Sequence, residues 1–186
     1  MGQVKIVENT GIEGLKVVET TKHPDPRGYF METYSQRDFE EIGIDCIFVQ
    51  DNQSYSQKGV IRGLHFQNGE YSQAKLVRVV KGAVYDVAVD LRKNSPTYGK
   101  AYGVLLTEDN NRQFFIPENF AHGFLVLSDD AIFCYKVNKF YQPGDEGGLL
   151  WSDPSLNIDW PLDEVGGIEN LTISEKDTKW PTLNQL

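Results

Sequence analysis

The stretch that decides the fold runs from Gln50 to Asp90 and contains two blocks, QDNQSYSQKGVIRGLHFQ at 50–67 and QAKLVRVVKGAVYDVAVD at 73–90. β-Branched and aromatic residues recur in both blocks, and glycine-containing turns punctuate them, which is typical of successive β-strands. The same strands carry imidazole, guanidinium, ammonium and amide groups. Because strand side chains alternate between two faces, these groups either face solvent or line a polar cavity. We favour the cavity.

Similar short segments continue on both sides of this stretch. Turn sequences such as DPRG, KNSPTYG and EDNN separate them, and their spacing suits an all-β sandwich or barrel. The Ser35 N-cap and an acidic residue three positions later predict one short helix that runs to about Ile42. We predict strands at 15–20, 28–34, 47–52, 60–66, 75–80, 84–91, 103–107, 113–116, 123–127 and 131–137.

The sequence after Tyr141 is rich in turn residues and predicts a loop-rich C-terminal segment with one or two short helices. It still contains Trp151, Trp160 and Trp180. Side chains of this size normally find cover, so we expect the segment to pack against the barrel.

Length and composition limit the possible classes of protein. The chain has 186 residues, of which 40% are hydrophobic and 12% aromatic, so we expect a single folded domain over residues 1–186. No apolar run approaches the roughly 18 to 20 residues that span a bilayer, and the start MGQVKIVENT lacks a signal-peptide core, which predicts a cytoplasmic protein. The net charge of −9 disfavours binding to nucleic acid or to an anionic membrane. An anionic ligand would need a locally basic pocket.

The cysteines and histidines do not predict a metal site. Cys46 and Cys134 have apolar neighbours, which predicts two buried thiols rather than a disulfide or metal ligands. The chain has three histidines and no HxH pair. Three or four convergent ligands are usual for a catalytic metal, so we expect none.

Two of the three histidines are candidates for chemistry. His23 lies in KHPDPRG and is predicted to be an exposed loop residue. Strand alternation places His65 on one face with Ile61, Gly63 and Gln67, where it could act as a general base or be a hydrogen-bonded structural residue. His122, in the sequence IPENFAHGF, is predicted to occupy a bend near the barrel mouth, with the same alternative.

Alternation also constrains the charged residues near His65. Lys75 and Arg78 fall on opposite faces of one strand, so at most one points inward. Arg62 falls opposite His65, so a bulge, a rim position or a subunit contact is needed if both serve one site.

Three further strand residues have less specific predictions. We predict Asp86 and Asp90 to be edge carboxylates bonded to backbone. Tyr135 shares a face with Phe133 and is either a proton donor or a packing residue.

Taken together, these blocks resemble the dTDP-4-dehydrorhamnose 3,5-epimerases, a family of cupin-type β-jelly-roll enzymes. The resemblance covers nearly the whole chain in the family's order. It implies a cofactor-free, metal-free homodimer that epimerises dTDP-4-dehydro-6-deoxy-D-glucose, a dTDP-4-keto-6-deoxyhexose, at C3 and C5 to give dTDP-4-dehydro-L-rhamnose. The matching blocks are DPRGYFMETY from Asp25, QDNQSYS, GVIRGLHFQ, QAKLVRVVKGAVYDVAVDLRKNSPTYG, FFIPENFAHGFLVLS, FCYKV, EGGLLWSDPSLNIDWP and ISEKD.

The resemblance also implies roles for individual residues. GLH gives His65 as the base, SEKD gives Asp177 as its carboxylate partner, FCYK gives Tyr135 as the acid, and QAKL gives Lys75 beside the sugar ketone. The implied substrate-binding positions are Arg27, Phe30, Glu32, Gln50, Asp51, Asn52, Arg62, His122, Glu146 and Lys176.

Two other functions remain open on the sequence. A mono-epimerase from another deoxysugar pathway would invert C3 or C5 alone while sharing the same base and fold. A non-catalytic cupin that binds a sugar nucleotide would have no need for His65, Tyr135 and Asp177 together.

Overall fold

Two antiparallel β-sheets face each other in the computed structural model, which describes residues 3–186. The first sheet has the strand order β1-β2-β10-β7-β12-β5 and the second has the order β13-β6-β11-β8-β9. A short parallel strand, β14, also pairs with β6. The strands are β1 (Val4–Glu8), β2 (Lys16–Thr20), β3 (His23–Asp25), β4 (Gly28–Phe30), β5 (Gln50–Gln57), β6 (Val60–Gln67), β7 (Lys75–Lys81), β8 (Ala83–Asp90), β9 (Ala101–Thr107), β10 (Arg112–Ile116), β11 (Phe120–Val126), β12 (Asp130–Val137), β13 (Glu146–Gly148) and β14 (Thr172–Ile173).

The space between the sheets is filled by the inward rows of both. Val77 and Phe133 from the first sheet belong to one buried cluster with Val84, Phe124 and Val126 from the second. Aromatic packing reinforces this contact, because the rings of Phe124 and Phe133 stack with their centroids 4.2 Å apart. The all-β jelly roll of the cupin type is confirmed, although the two sheets stay open and do not close into a continuous ring.

The outer faces of the two sheets are covered by different parts of the chain. The one α-helix within residues 3–186, α1 (Gln36–Glu41), packs Phe39 onto the first sheet. The C-terminal segment covers the second sheet with Trp151 and Trp160, and so the expectation that this segment packs against the barrel is confirmed. The regular structure of the C-terminal segment is limited to β13, β14 and short 3-10 helices at Pro154–Leu156, Leu162–Val165, Ile168–Asn170 and Leu183–Gln185. One further 3-10 helix, Gly69–Tyr71, lies between β6 and β7.

The sequence predicted the bounds of most central strands to within a few residues, but it shifted one polar strand and missed several short strands. The strand predicted at 47–52 is instead β5 (Gln50–Gln57), and β1, β3, β13 and β14 were not predicted. The helix prediction is confirmed with Ser35 at the N-cap, but the Ser35 hydroxyl makes no capping hydrogen bond. Two histidine predictions were wrong in their element: the exposed His23 lies in β3, and His122 lies inside β11 rather than at a bend.

The cysteines differ from the prediction in burial. Both thiols are free, as expected, but each is half-buried rather than buried. Burial raises the pKa of Cys46 to about 11, which keeps this thiol protonated and unreactive near neutral pH. Within residues 3–186 no three histidine, cysteine, aspartate or glutamate side chains converge as metal ligands would. In the same range, every helix is too short or too polar to cross a bilayer.

Candidate active site

A cavity of about 260 Å³ opens between the two sheets. Its walls are formed by strands of both sheets together with the segment that follows β12. Ser54 and Gln73 line it beside apolar rings such as Phe124 and Phe133. Six of the predicted site residues also line it: Arg62, His65, Lys75, His122, Tyr135 and Glu146.

A β-bulge in β6 brings Arg62 and His65 to the same cavity. His65 pairs with His122 on β11, but Arg62 pairs with Phe124, so β6 has one more residue than β11 over this stretch. Gly63 lies in the bulge with φ +128°, and a Cβ there would come within 2.6 Å of the Gly123 Cα. Strand alternation is therefore interrupted at Gly63. Ile61 packs against the C-terminal segment, on the face opposite His65, whereas Arg62 and His65 both face the cavity. Of the three explanations considered for Arg62, the bulge is correct.

His65 is paired with a carboxylate from the far end of the chain. Its Nε2 lies 2.6 Å from Asp177 Oδ1, while the Gly63 amide donates to Oδ2 at 3.4 Å. Burial raises the pKa of Asp177, but hydrogen bonds from His65, Gly63 and Trp180 outweigh it, so the pKa lies below its ordinary value. Because the carboxylate is an acceptor, Nε2 carries the hydrogen in neutral His65 and Nδ1 keeps the lone pair.

Lys75 and Tyr135 lie on the first sheet, across the cavity from β6. Lys75 points inward and is only 9% exposed, while Arg78 on the opposite face lines a separate outer groove, as alternation predicted. Burial lowers the pKa of Lys75 to about 8, against an opposing effect of the Asp86 charge. Burial also raises the pKa of Tyr135, with Arg62 opposing it, so the phenol stays protonated across the neutral range.

His122 has its own carboxylate partner, which the sequence prediction missed. Its Nε2 lies 3.0 Å from both carboxylate oxygens of Asp86, which is fully buried. The prediction that Asp86 is an edge residue bonded to backbone was therefore wrong, whereas Asp90 does accept the Arg92 amide hydrogen at 2.9 Å. Burial lowers the pKa of His122 and raises that of Asp86; their mutual attraction offsets this only in part. The His122 ring stacks on the Phe133 ring.

The rim of the cavity is formed by charged residues of β13 and the turn after β14. Lys176 forms an ion pair with Glu146, and Tyr141 lines the cavity together with Glu146. Desolvation raises the pKa of Glu146 less than the Lys176 hydrogen bond lowers it, so Glu146 stays ionised. The SEKD segment at 174–177 is a simple turn in which the Asp177 amide donates to the Ser174 carbonyl at 3.0 Å.

The predicted binding residues of β5 divide between its two faces. Asn52 pairs with Tyr135 on β12, and Gln50 donates to the Asn52 side chain at 2.8 Å. Alternation puts both on the row that continues to Ser54, but neither lines the cavity, and Asn52 borders the outer groove. Asp51 points the other way. It forms an ion pair with Lys136 at 2.6 Å and borders the outer groove, so the structure does not bring it to the cavity.

Arg27, Phe30 and Glu32 also lie away from the cavity of their own chain. They belong to or follow the β3–β4 hairpin, which pairs with neither large sheet. The Arg27 side chain is 90% exposed and contacts Asp25, while Phe30 is 65% exposed. An exposed aromatic and an exposed arginine on a projecting hairpin are typical of an interaction surface.

Sequence reasoning missed four polar contributors to this site: Ser54, Gln73, Asp86 and Trp180. A signal existed for Asp86, because alternation put it on the inward row with Val84 and Ala88. No comparable signal existed for Trp180, whose indole Nε1 donates to Asp177 at 3.2 Å from an irregular segment.

Comparison with known proteins gives the same family from sequence and from structure. The family model for dTDP-4-dehydrorhamnose 3,5-epimerase matches residues 9–185. An enzyme of that name from Shigella flexneri is 53% identical over 172 residues, which is 92% of each chain. Another from Methanothermobacter thermautotrophicus is 52% identical over 176 residues, covering 95% of this chain and 93% of that one.

A solved structure agrees closely with the fold. The dTDP-6-deoxy-D-glucose-3,5-epimerase from Legionella pneumophila Philadelphia 1, in complex with dTDP-4-keto-L-rhamnose, superposes with a TM-score of 0.91 at 47% identity, covering 98% of this chain and 94% of that one. Together with a family model that spans all the residues lining the cavity and the β3–β4 hairpin, these relatives show that the chain belongs to the dTDP-4-dehydrorhamnose 3,5-epimerase family.

Proposed function

We propose that this chain inverts C3 and C5 of dTDP-4-dehydro-6-deoxy-D-glucose and so makes dTDP-4-dehydro-L-rhamnose without a cofactor. As a family member it is an isomerase of dTDP-rhamnose biosynthesis. One observation supports the mechanism above all others. The His65–Asp177 pair and the Tyr135 phenol come from opposing sheets and border one cavity that also contains the Lys75 ammonium.

The base in this proposal is His65. A hydrogen on carbon next to a ketone is a weak acid, so its removal needs a positioned base that titrates near neutral pH. With Nε2–H held by Asp177, the Nδ1 lone pair is free to take the proton. The imidazolium that forms is then stabilised by the adjacent carboxylate, which is ionised because its pKa is lowered.

Lys75 is the group that stabilises the enolate. Proton removal moves negative charge onto the ketone oxygen, and a fixed positive charge in a water-poor site stabilises it most. Lys75 is almost fully buried in the cavity wall, and its pKa of about 8 leaves it mostly protonated at neutral pH.

Tyr135 is the acid that returns the proton. Inversion requires that the proton leave one face of the sugar ring and return to the other, so the base and the acid lie on opposite sides of the substrate. His65 is on β6 of the second sheet and Tyr135 on β12 of the first. The raised pKa of Tyr135 keeps its proton available.

The diphosphate of the substrate is doubly anionic, whereas the chain has a net charge of −9. A locally basic surface is therefore needed, and guanidinium groups bind phosphate through paired donors. Arg62 meets this need in the cavity, where Ser56 holds its Nε at 3.1 Å.

We further propose a cytoplasmic homodimer in which the β3–β4 hairpin of each chain, with Arg27 and Phe30, completes the site of the other. The exposure of these two side chains and their distance from the cavity of their own chain support this arrangement. The two free cysteines suit a reducing compartment.

Proton exchange tests the reaction. We expect the purified protein, treated exhaustively with EDTA and held in D2O, to incorporate deuterium at both C3 and C5 of dTDP-4-dehydro-6-deoxy-D-glucose, as measured by NMR. Incorporation at one carbon only would identify a mono-epimerase. Binding without any incorporation would identify a non-catalytic cupin, and activity that stops with EDTA and returns with a metal would refute the metal-free mechanism.

Tyr135→Phe separates proton donation from packing. The variant keeps the ring and loses only the phenolic proton, so we expect the rate of C5 inversion to fall by about 10² or more while the melting temperature changes little. Solvent exchange without inversion can persist, because abstraction by His65 does not need the phenol.

The matched control is Tyr85→Phe, a half-buried phenol on the far side of the second sheet beside Trp160. It should leave the rate unchanged. Normal turnover by a less stable Tyr135→Phe protein would show that Tyr135 is only a packing residue.

A further inference from the structure

Trp180 shares an acceptor with the proposed base. Its indole Nε1 donates to Asp177 Oδ1 at 3.2 Å, the same oxygen that lies 2.6 Å from His65 Nε2. The indole also meets the imidazole edge to face, with ring centroids 6.3 Å apart and planes inclined at 72°. Trp180 is therefore in contact with both members of the pair.

The position of the indole is fixed from three sides. Gly148, the strand partner of His65 on β13, lies under the ring: a Cβ there would come within 2.4 Å of the indole carbons. Lys176 Nζ lies 5.2 Å from the ring centroid, within the range of a cation–π contact. Asp177 takes the Nε1 hydrogen. These contacts hold the indole with its N–H directed at Asp177 Oδ1.

We propose that Trp180 is a positioning residue that limits how much negative charge Asp177 presents to His65, and so sets the pH range in which His65 is an unprotonated base. The inference rests on the proposed role of His65. It assigns Trp180 no contact with the reacting carbons.

The effect follows from competition for one carboxylate. Three donors approach Asp177: the His65 ring, the Gly63 amide and the Trp180 indole. Each hydrogen bond withdraws charge from the carboxylate, and those to a charged group are the strong ones. Without the indole, more of the charge would act on His65. The imidazolium would then be favoured and less free base would remain at neutral pH.

The other ionisable groups around His65 belong to different elements, and replacement of Trp180 leaves them in place. Lys75 Nζ lies 3.5 Å from the His65 carbonyl oxygen, and His122 is the strand partner of His65 on β11. The ionisable groups that face His65 are Arg62, Lys75, His122, Tyr135, Tyr141, Glu146, Lys176 and Asp177. Among these groups, only Asp177 accepts a hydrogen bond from the Trp180 indole N–H.

The test compares Trp180→Phe with wild type by NMR of the His65 ring proton across the pH range. The chain has only three histidines, so the His65 signal can be assigned from its loss in His65→Ala. We expect the midpoint of that titration, and of the acid limb of kcat/KM, to move upward by about half to one pH unit. Trp180→Leu, which also lacks a hydrogen-bond donor there, should show the same shift and serves if the phenylalanine variant is unstable.

Two controls separate this role from packing. Trp160→Phe removes another buried indole hydrogen bond, from Nε1 to the Trp151 carbonyl at 3.0 Å, and should move neither midpoint. In an Asp177→Asn background, Trp180→Phe should produce no further shift, because the charge that it moderates is gone. Folded Trp180 variants with an unchanged His65 midpoint would overturn the inference. The NMR midpoint does not depend on turnover, so wild type that fails to exchange substrate protons would reject the proposed function alone.

Discussion

His65→Ala is expected to abolish deuterium exchange at both C3 and C5, with a loss of rate of at least about 10² to 10⁴, the usual contribution of a general base. The loss should extend to both carbons because a single imidazole serves both abstractions. Affinity for dTDP, measured by calorimetry, should change little, since His65 acts on the sugar. The fold should also persist, because the His65 side chain is 41% exposed at the cavity and does not fill the core.

Rescue with free imidazole provides the control for this variant. Truncation leaves Asp177 and the cavity in place, so added imidazole can occupy the vacant volume beside the carboxylate. Partial recovery of exchange, with a dependence on imidazole concentration, would support the missing base as the cause. Wild-type turnover by His65→Ala would remove His65 from the mechanism.

Lys75→Met is expected to lower kcat by about 10² to 10³, the usual loss when a preorganised group that stabilises developing oxyanion charge is removed. Methionine has a similar length and no charge, so the cavity wall is kept. In the wild type, activity should also fall as the pH rises through about 8, where the native Lys75 loses its proton. The variant should lack this alkaline limb, and a retained limb would assign it to another group.

The same substitution should not destabilise the protein at neutral pH. The pKa of Lys75 falls from 10.5 to about 8 in the fold, so the unfolded chain binds this proton more tightly than the native state does. The free-energy cost of burying the Lys75 ammonium in the native state is present in full below pH 8 and disappears as the pH rises toward 10.5. The difference of roughly 2.5 pKa units corresponds to about 3 kcal/mol, the most that Lys75→Met can add to the unfolding free energy at pH 7. Urea denaturation at pH 7 and pH 10 measures both effects.

Much of this site was predictable from sequence because local motifs contain it. GLH, QAKL, FCYK and SEKD each identified one residue, and the fold brings all four to one place although Asp177 is 112 positions from His65. Hydrophobic alternation located the central strands because the side chains on their inward faces are apolar. β5 was misplaced because most of its residues are polar on both faces, which leaves no alternation to detect.

The remaining errors depended on information that only three-dimensional contacts contain. The β6 bulge is visible only from its pairing with β11, and without it Arg62 cannot be placed. Alternation puts Asp86 on the inward face of its strand, but its partner His122 was predicted to lie at a bend, so the Asp86–His122 pair could not be recognised. The resemblance implies a binding role for the hairpin with Arg27 and Phe30, whereas its separation from the cavity of its own chain required coordinates.

The extra residue in β6 makes the bulge the place where this strand can change length. Because Arg62 and His65 pair with residues two apart on β11, a one-residue deletion at Gly63 would give regular alternation, with Arg62 and His65 still on the cavity face and Ile61 still on the outer face. A one-residue deletion in the part of β6 before Arg62 would instead exchange the sides of the residues that precede it. Over evolutionary time, β6 can therefore lose a residue at the bulge more easily than elsewhere in the strand.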